Sequence, residues 1–275
     1  MNKFRLEQKD CIEGMKAMAD ESVDVVVTSP PYNIKLAYKG YKDNLRRDKY
    51  LIRTWRWTDE VIRVLKPNGS FFLNIGSPTN NPTLPFQMVL HLTEYKLQLQ
   101  NTLHWVKSIS VTETDGKRTT VGPYKPKNSK RFVNSCHEYI FHFTKSGDVP
   151  LDKKAVGVPY KWKGCIKRFE KSTHGLDLRD RGNAWFIRYP TNYFRGGHHP
   201  AKFPVELPEM CIKLHDRNSE LVVLDPFLGT GSTAVAAKRC RVKGFIGFDK
   251  SDKFVNMSRR RLEKSDAEPG RQGMA

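Results

Sequence analysis

Along this chain, short runs of buried-type residues alternate with longer stretches whose apolar positions recur every three or four residues. That alternation predicts strands and helices following one another, and so an α/β fold with a mostly parallel central sheet. The β-branched run at 23–27 predicts a strand. Val61, Ile62 and Leu65 share helical spacing and predict a helix over 58–65, stopped by Lys66-Pro67-Asn68-Gly69. A strand is predicted at 70–75, a helix at 85–95, and strands at 102–106 and 138–143. An amphipathic helix at 204–215 carries Pro208 against it. The last third predicts strand 221–224, helix 232–239, strand 244–248 and helix 254–262. The tail at 265–275 is polar and is expected to fray. No internal repeat is visible.

The rhythm breaks between Lys107 and Arg181, where apolar periodicity weakens and basic residues crowd together. Lys117, Arg118, Lys125, Lys127, Lys130 and Arg131 come first, and Lys153, Lys154, Lys161, Lys163, Lys167, Arg168 and Lys171 follow. Tyr124, Tyr160, Trp162 and Phe169 are interleaved with them. Taken alone, such a run is also what a solvated surface insertion looks like. Basic side chains among aromatic ones are equally what phosphate contact and base stacking require. A second basic run spans 35–53, with Lys35, Lys39, Arg46 and Arg47 among Tyr38, Tyr41 and Tyr50. Lys39-Gly40-Tyr41 offers a hinge, so this run is expected to be a mobile loop. The chain carries 48 Lys and Arg against 29 acidic residues, a net charge of +19, which favours a polyanionic partner whose binding weakens with salt.

The division that follows is a discontinuous core at 1–106 and 182–264 and an insertion at 107–181, with strand 138–143 returning to the core. Five scattered cysteines without C-x-x-C spacing argue against a disulfide framework or a zinc site and suit a reducing compartment. No apolar run has the length of a signal sequence or a membrane span, so no membrane role and a cytoplasmic, nucleoid-associated location are expected.

Two constellations carry candidate chemistry. The strand at 23–27 empties into Thr28-Ser29-Pro30-Pro31-Tyr32-Asn33, a polar acceptor, two rigid residues and a ring at a strand end. Prolines fix φ and bring carbonyls without competing N–H donors, so the segment suits a planar amino group such as that of a nucleobase. Two hundred residues later, Leu224-Asp225-Pro226-Phe227-Leu228-Gly229-Thr230-Gly231-Ser232-Thr233 reads as strand, Gly-rich turn and helix. Glycines let a backbone approach a ligand, and a helix N-terminus offers N–H donors. The strand at 244–248 ends in Asp249, placed to hold a ribose hydroxyl pair. The turn lacks the third glycine of a dinucleotide fingerprint and the lysine of a P-loop, which argues against NAD and ATP.

Together, in this order, the two constellations resemble the β group of S-adenosyl-L-methionine-dependent DNA amino methyltransferases. Ser29-Pro30-Pro31-Tyr32 resembles their catalytic motif, and Asp225 to Gly231 their cofactor motif. Asp10-Cys11-Ile12-Glu13-Gly14-Met15 is similar to the short motif whose acid and neighbour approach the cofactor's adenine. His199-Pro200-Ala201-Lys202-Phe203-Pro204 resembles the motif packed against the methionine end, with Trp185-Phe186-Ile187 as its aromatic lead-in. The resemblance implies a Rossmann-like methyltransferase fold. It implies S-adenosyl-L-methionine as cofactor, touching Asp10, Cys11, Thr28, Lys202, Asp225, Phe227, Gly229, Gly231, Ser232, Thr233 and Asp249. It implies double-stranded DNA as substrate, the insertion as target-recognition region, and base flipping. A homodimer and a cognate restriction endonuclease acting on the same site also belong to the pattern.

In that pattern the Ser29 hydroxyl and Pro30 carbonyl accept the two amine hydrogens, with Pro31 holding the turn and Tyr32 stacked on the base. No metal is required. Ser29 stands where many adenine enzymes carry Asp, which leans toward the N4 of cytosine, with the N6 of adenine as alternative. A methylase of RNA or of a protein amide, or a noncatalytic binder with a degenerate fold, fits less well, because both constellations are intact and the insertion is strongly basic. His198 and His199 have no partners at metal or triad spacing, and His137-Glu138 reads as the start of a core strand, not as an acid–base pair.

Overall fold

A computed structural model describes residues 3–38, 41–112, 116–122, 129–168, 176–188 and 203–267. Lys39, Lys125, Lys127, Lys202, His198, His199 and most of the C-terminal tail therefore lie outside the described residues. In chain order the strands are β1 (Lys3–Gln8), β2 (Val23–Thr28), β3 (Ala37–Tyr38), β4 (Tyr41–Lys42), β5 (Leu65–Ile75), β6 (Gln98–Val106), β7 (Ile109–Thr112), β8 (Arg118–Val121), β9 (His137–Thr144), β10 (Ala184–Phe186), β11 (Val222–Asp225) and β12 (Gly244–Asp249). The helices are α1 (Cys11–Lys16), α2 (Arg47–Val64), α3 (Leu84–Tyr95), α4 (Gly164–Arg168), α5 (Glu206–His215), α6 (Ser232–Arg239) and α7 (Asp252–Ala267).

Eight strands form one sheet in the order β1-β12-β11-β2-β5-β9-β6-β10. Every neighbouring pair is parallel except those made by β9, which runs antiparallel to both β5 and β6. From β2 the chain proceeds outward to β5, whereas β11 proceeds outward on the other side to β12. The crevice beyond the carboxyl ends of β2 and β11 is therefore a topological switch point, the place where such sheets hold ligands. The expected α/β class and mostly parallel sheet are what the structure has.

The sheet is covered on both faces, and the alternation of side chains along each strand shows it. Val25, Val27 and Phe72 join one core with Met210, Cys211 and Ile212 of α5 and Ala236 of α6. Val26, Phe71 and Leu73 join the other with Met15 of α1, Trp57 and Val61 of α2, and Leu92 of α3.

Three expectations need correction. The helix predicted at 58–65 begins at Arg47, and Leu65 already belongs to β5. Arg47, Asp48 and Lys49 lie exposed and made this stretch read as loop, while Tyr50, Thr54, Trp57, Val61 and Val64 form the buried stripe. The run at 35–53 is thus helical from Arg47 onward, and the hinge expected at Lys39-Gly40 lies outside the described residues. The Asp43 carboxylate accepts backbone N–H groups of Asn33, Ile34 and Leu36, each at 3.0 Å. Asn33, at φ 59, bonds Leu45 in both directions at 2.8 Å. The edge strand β1 and helix α1 were not predicted, and α7 extends to Ala267, past the expected start of the frayed tail. Pro208 is harmless because it sits in the first turn of α5, where its missing N–H has no intrahelical partner to lose.

A polar chain crosses the sheet beneath β5. Asn101 Nδ2 lies 3.0 Å from His142 Nδ1, His142 Nε2 lies 2.9 Å from Ser70 Oγ, and Ser70 Oγ lies 2.8 Å from His215 Nδ1. With Asn101 donating, His142 is a neutral ring that donates to Ser70, which in turn donates to His215. Burial, and then the neighbouring His215, push the His142 imidazolium down to about 3. A histidine that is neutral when folded but protonates near 6.5 when unfolded gives stability that is present above pH 6.5 and is lost as pH falls toward 3. Between pH 7.5 and 5 the wild type should lose about 2 kcal/mol more than His142→Gln. Urea midpoints of the two proteins at both pH values measure this; equal losses contradict it.

Candidate active site

Both constellations meet at the switch point. The Thr28 hydroxyl at the end of β2 donates to Asp225 Oδ1 at the end of β11 over 2.7 Å. The same oxygen accepts the Phe227 N–H at 3.0 Å, and Asp225 Oδ2 accepts the Thr233 hydroxyl at 2.6 Å. Asp225 is 1% exposed, and burial raises its carboxyl to about 6 in spite of these bonds. Its two oxygens are thus committed to holding β2, the Gly-rich turn and the start of α6 together.

Beyond this tie opens a cavity of about 520 Å³, within the range of small-molecule sites. Its walls include Ser29, Pro30, Pro31 and Tyr32 on one side, and Phe227, Gly229, Ser232 and Asp249 on the other. Cys11 and Phe203 also line it. Thr28, Asp225, Gly231 and Thr233 do not; they support the wall from behind. Gly231, at φ 80, has Ser258 so close that a Cβ would come within 2.8 Å of it, so glycine is needed there for packing as well as for the turn. Asp10 also stands behind the lining. It caps α1 by accepting the Ile12 N–H at 2.9 Å and pairs with Arg53 at 3.0 Å and Lys250 at 2.8 Å. Burial raises its carboxyl, but the bonds from Lys250 and Ile12 prevail and hold it below the usual carboxylate range.

The side of the cavity around Asp249 has groups that suit a nucleoside. Asp249 Oδ2 accepts the Gly229 N–H at 3.0 Å and Oδ1 the Ser251 N–H at 2.7 Å, which fixes the carboxylate while leaving each oxygen a further lone pair for a ribose diol. Burial raises this carboxyl to about 6. Phe227 stands edge-on to Trp57 at 5.2 Å, and both line the cavity, giving a fixed apolar wall.

The other half is a polar network. Ser29 Oγ lies 2.9 Å from Tyr32 Oη, and Tyr32 Oη donates to Glu138 Oε2 at 3.1 Å. Asn74 Nδ2 donates to Glu138 Oε2 at 2.6 Å and lies 3.3 Å from both Ser29 Oγ and Tyr32 Oη. Lys107 pairs with Glu138 Oε1. Tyr50 donates to the Pro31 carbonyl at 2.8 Å, whereas no bond to the Pro30 carbonyl is seen among the described residues. Gly76 makes room for the Tyr32 ring, since a Cβ there would come within 3.1 Å of it. Burial pushes the Glu138 carboxyl up, but Lys107, Asn74 and Tyr32 together leave it below the usual range. Burial, then the Glu138 charge, push the Tyr32 phenol well above its ordinary value.

Sequence reasoning missed Glu138, Asn74 and Lys107 here, having taken Glu138 for a strand start. It is that too, but as the second residue of β9 its side chain reaches the cavity mouth. Nothing local in the sequence marks it. Arg53 was missed as a lining residue because the helix was started too late; Tyr50, Arg53, Thr54 and Trp57 share one helical face. The basic residues expected on DNA sit elsewhere: Lys35, Arg46, Arg47, Lys130, Arg131, Lys161, Lys163, Lys167 and Arg168 are all exposed and none lines the cavity. Lys163 is paired with Asp177, and Arg46 with Asp48. Among the described residues no cluster of three His, Cys, Asp or Glu is arranged to hold a metal, and no helix is long and apolar enough to cross a membrane.

The tie through Asp225 carries a prediction. Asp225→Ala strands two hydroxyls and an N–H, and should lower folding stability by at least about 2 kcal/mol, against about 1 for Thr28→Val. Thermal or urea unfolding of the two variants reads this; an Asp225→Ala protein as stable as wild type contradicts it.

Known proteins are similar to this chain in sequence and fold. A family model described as DNA methylase, for N6 and N4 methylases, matches residues 23–260. The chain is 28% identical over 262 residues to the type II methyltransferase M.HpaI of Haemophilus parainfluenzae, covering 94% of this chain and 74% of that protein. Its fold is similar to that of the PvuII DNA methyltransferase, described as cytosine-N4-specific, at TM-score 0.67 and 19% identity over 97% of this chain and 93% of the other. It is also similar to M1.HpyAVI in complex with S-adenosyl-L-methionine, at TM-score 0.59 and 19% identity over 94% and 100% of the two chains. A match over most of the chain, on a fold whose switch point holds both constellations, means that this protein belongs to the N6/N4 DNA methylase family of S-adenosyl-L-methionine-dependent amino methyltransferases.

Proposed function

We propose that the protein methylates the exocyclic N4 of cytosine at a specific site in double-stranded DNA. The observation that carries the choice of base is Ser29, a neutral hydroxyl where adenine enzymes of this family often carry a carboxylate. Ser29 and Pro30 stand together on the cavity wall. An exocyclic amine is a poor nucleophile because its lone pair is delocalised into the ring. Two acceptors, the Ser29 hydroxyl and the Pro30 carbonyl, draw its hydrogens out of the ring plane and free the pair. Tyr32, pinned by its hydroxyl, offers a ring for the base to stack on. The bound cofactor supplies an electrophilic methyl group, and Asp249 and the Phe227 wall hold that molecule in line with the amine. Positioning and fixed dipoles then lower the barrier.

The cavity lies at the strand ends, so a paired base reaches it only by leaving the duplex, as methyltransferases on DNA generally require. The exposed basic residues of 107–181, together with Lys35, Arg46 and Arg47, are proposed to track the phosphates, with that insertion choosing the sequence. A second copy of the chain on a palindromic site, and an endonuclease cutting the unmethylated site, complete the proposal. The N6 of adenine is the alternative target.

The test is to incubate purified protein with DNA and S-adenosyl-L-methionine and weigh the digested nucleosides. N4-methylcytosine is expected; N6-methyladenine alone would reject cytosine. Two variants separate the halves of the site. Tyr32→Ala should lose roughly 1–3 kcal/mol of base stacking with cofactor affinity by calorimetry unchanged. Asp249→Ala should weaken cofactor binding first; retained affinity there removes the ribose assignment.

A further inference from the structure

The catalytic motif of this chain has no carboxylate, yet a carboxylate stands two hydrogen bonds from Ser29. Glu138, on the antiparallel strand β9, has 15% of its side chain exposed and lines the same cavity as Ser29. The bonds around it have a forced direction. An ionised carboxylate only accepts, and Glu138 is kept ionised by Lys107 on Oε1. Two acceptors lie within reach of the single Tyr32 proton, and the charged Glu138 Oε2 at 3.1 Å is nearer than the Asn74 carbonyl at 3.4 Å, so the proton is spent on Glu138. The 2.9 Å contact between Ser29 Oγ and Tyr32 Oη must then be Ser29 donating. Asn74 has one amide hydrogen on Glu138 and one left for the Ser29–Tyr32 pair. Ser29 is thereby left with its hydrogen on Tyr32 Oη and a lone pair free to accept.

We propose that Glu138 acts through Tyr32 as the carboxylate that the motif lacks, fixing Ser29 as an acceptor and receiving the proton that the amine gives up. The proposal rests on the reading that Ser29 holds the amine. The amine lone pair forms the new N–C bond to the methyl group while the methyl–sulfur bond breaks with its electrons on sulfur. The nitrogen is then a strong acid. One N–H bond breaks with its pair kept by nitrogen, the proton passes to Ser29 Oγ, the Ser29 proton to Tyr32 Oη, and the Tyr32 proton to Glu138 Oε2. The products are a neutral methylated amine and a neutral Glu138 carboxyl, which returns its proton to water when product leaves. Glu138 is in this sense a positioning residue and terminal acceptor, and touches no substrate atom.

Single-turnover methyl transfer to DNA, with the full chain, tests it. Glu138→Gln should slow the step about 100-fold or more, with cofactor affinity and the KM for DNA held. Tyr32→Phe keeps the ring but cuts the relay, and should slow it to a similar degree; the double variant should be no slower than the slower single one. Ser29→Asp in the Glu138→Gln background should recover part of the rate, because a carboxylate then touches the amine directly. A rate within threefold of wild type for Glu138→Gln or Tyr32→Phe overturns the relay, as do losses that multiply in the double variant. Ser29→Ala separates the two levels: if it is active, the amine clamp itself is wrong, whereas an inactive Ser29→Ala beside an active Glu138→Gln removes only the relay.

Discussion

One buried carboxylate joins the two halves of this molecule's chemistry. Asp225 spans from the end of β2 to the Gly-rich turn and the first turn of α6, accepting from Thr28, Phe227 and Thr233. A carboxylate out of water is costly unless its lone pairs are used. Here the three donors come from segments that must be held in one arrangement for the cavity to exist. The strand that ends in Ser29-Pro30-Pro31-Tyr32 and the turn that leads to Ser232 are neighbours because β2 pairs with β11, and the Thr28–Asp225 bond ties the ends of the two strands together. Asp225 is the most recognisable acid of the cofactor motif, yet its work in this structure is to set the wall and not to line it.

Charge in the cavity is divided between its two ends. Lys9, Arg53 and Lys250 line it near Asp10, while Lys107 lines it beside Glu138. Asp10 has two cations as partners and Glu138 has one, and both carboxyls end below the usual range in spite of their burial, whereas Asp225 and Asp249 end above it. The rigid network at Ser29 and the tethered loop through Asn33 and Asp43 describe a pocket that is pre-organised on the side of the proposed amine clamp. Preorganised dipoles are the cheapest way to stabilise developing charge.

The sheet was legible because its signals are local: β-branched runs, helical spacing and glycine or proline stops placed most elements. The two motifs at Ser29–Tyr32 and Asp225–Gly231 stood out because each is a short contiguous stretch, and the fold brings both to one cavity. What escaped depended on contacts across the fold. Arg47, Asp48 and Lys49 disguised the first turn of α2, so the lining role of Arg53 was hidden with it. Glu138 and Asn74 reach Tyr32 from 106 and 42 residues away, by virtue of β5 and β9 lying side by side; no spacing in the sequence encodes that. The basic residues raised the expectation of a polyanionic partner. They could not show which cations face the cavity, since Lys9, Lys107 and Lys250 lie outside the densest runs.

In the proposed site, one cavity holds the target amine between Ser29 and Pro30 beside the methyl donor. A crystal structure of the protein with S-adenosylhomocysteine and a duplex carrying its recognition site tests that most directly. The account predicts a cytosine turned out of the helix, with N4 within hydrogen-bond reach of Ser29 Oγ and the Pro30 carbonyl oxygen and its ring against Tyr32. A target base bound away from Ser29, or a cofactor product lying off Asp249, would contradict it.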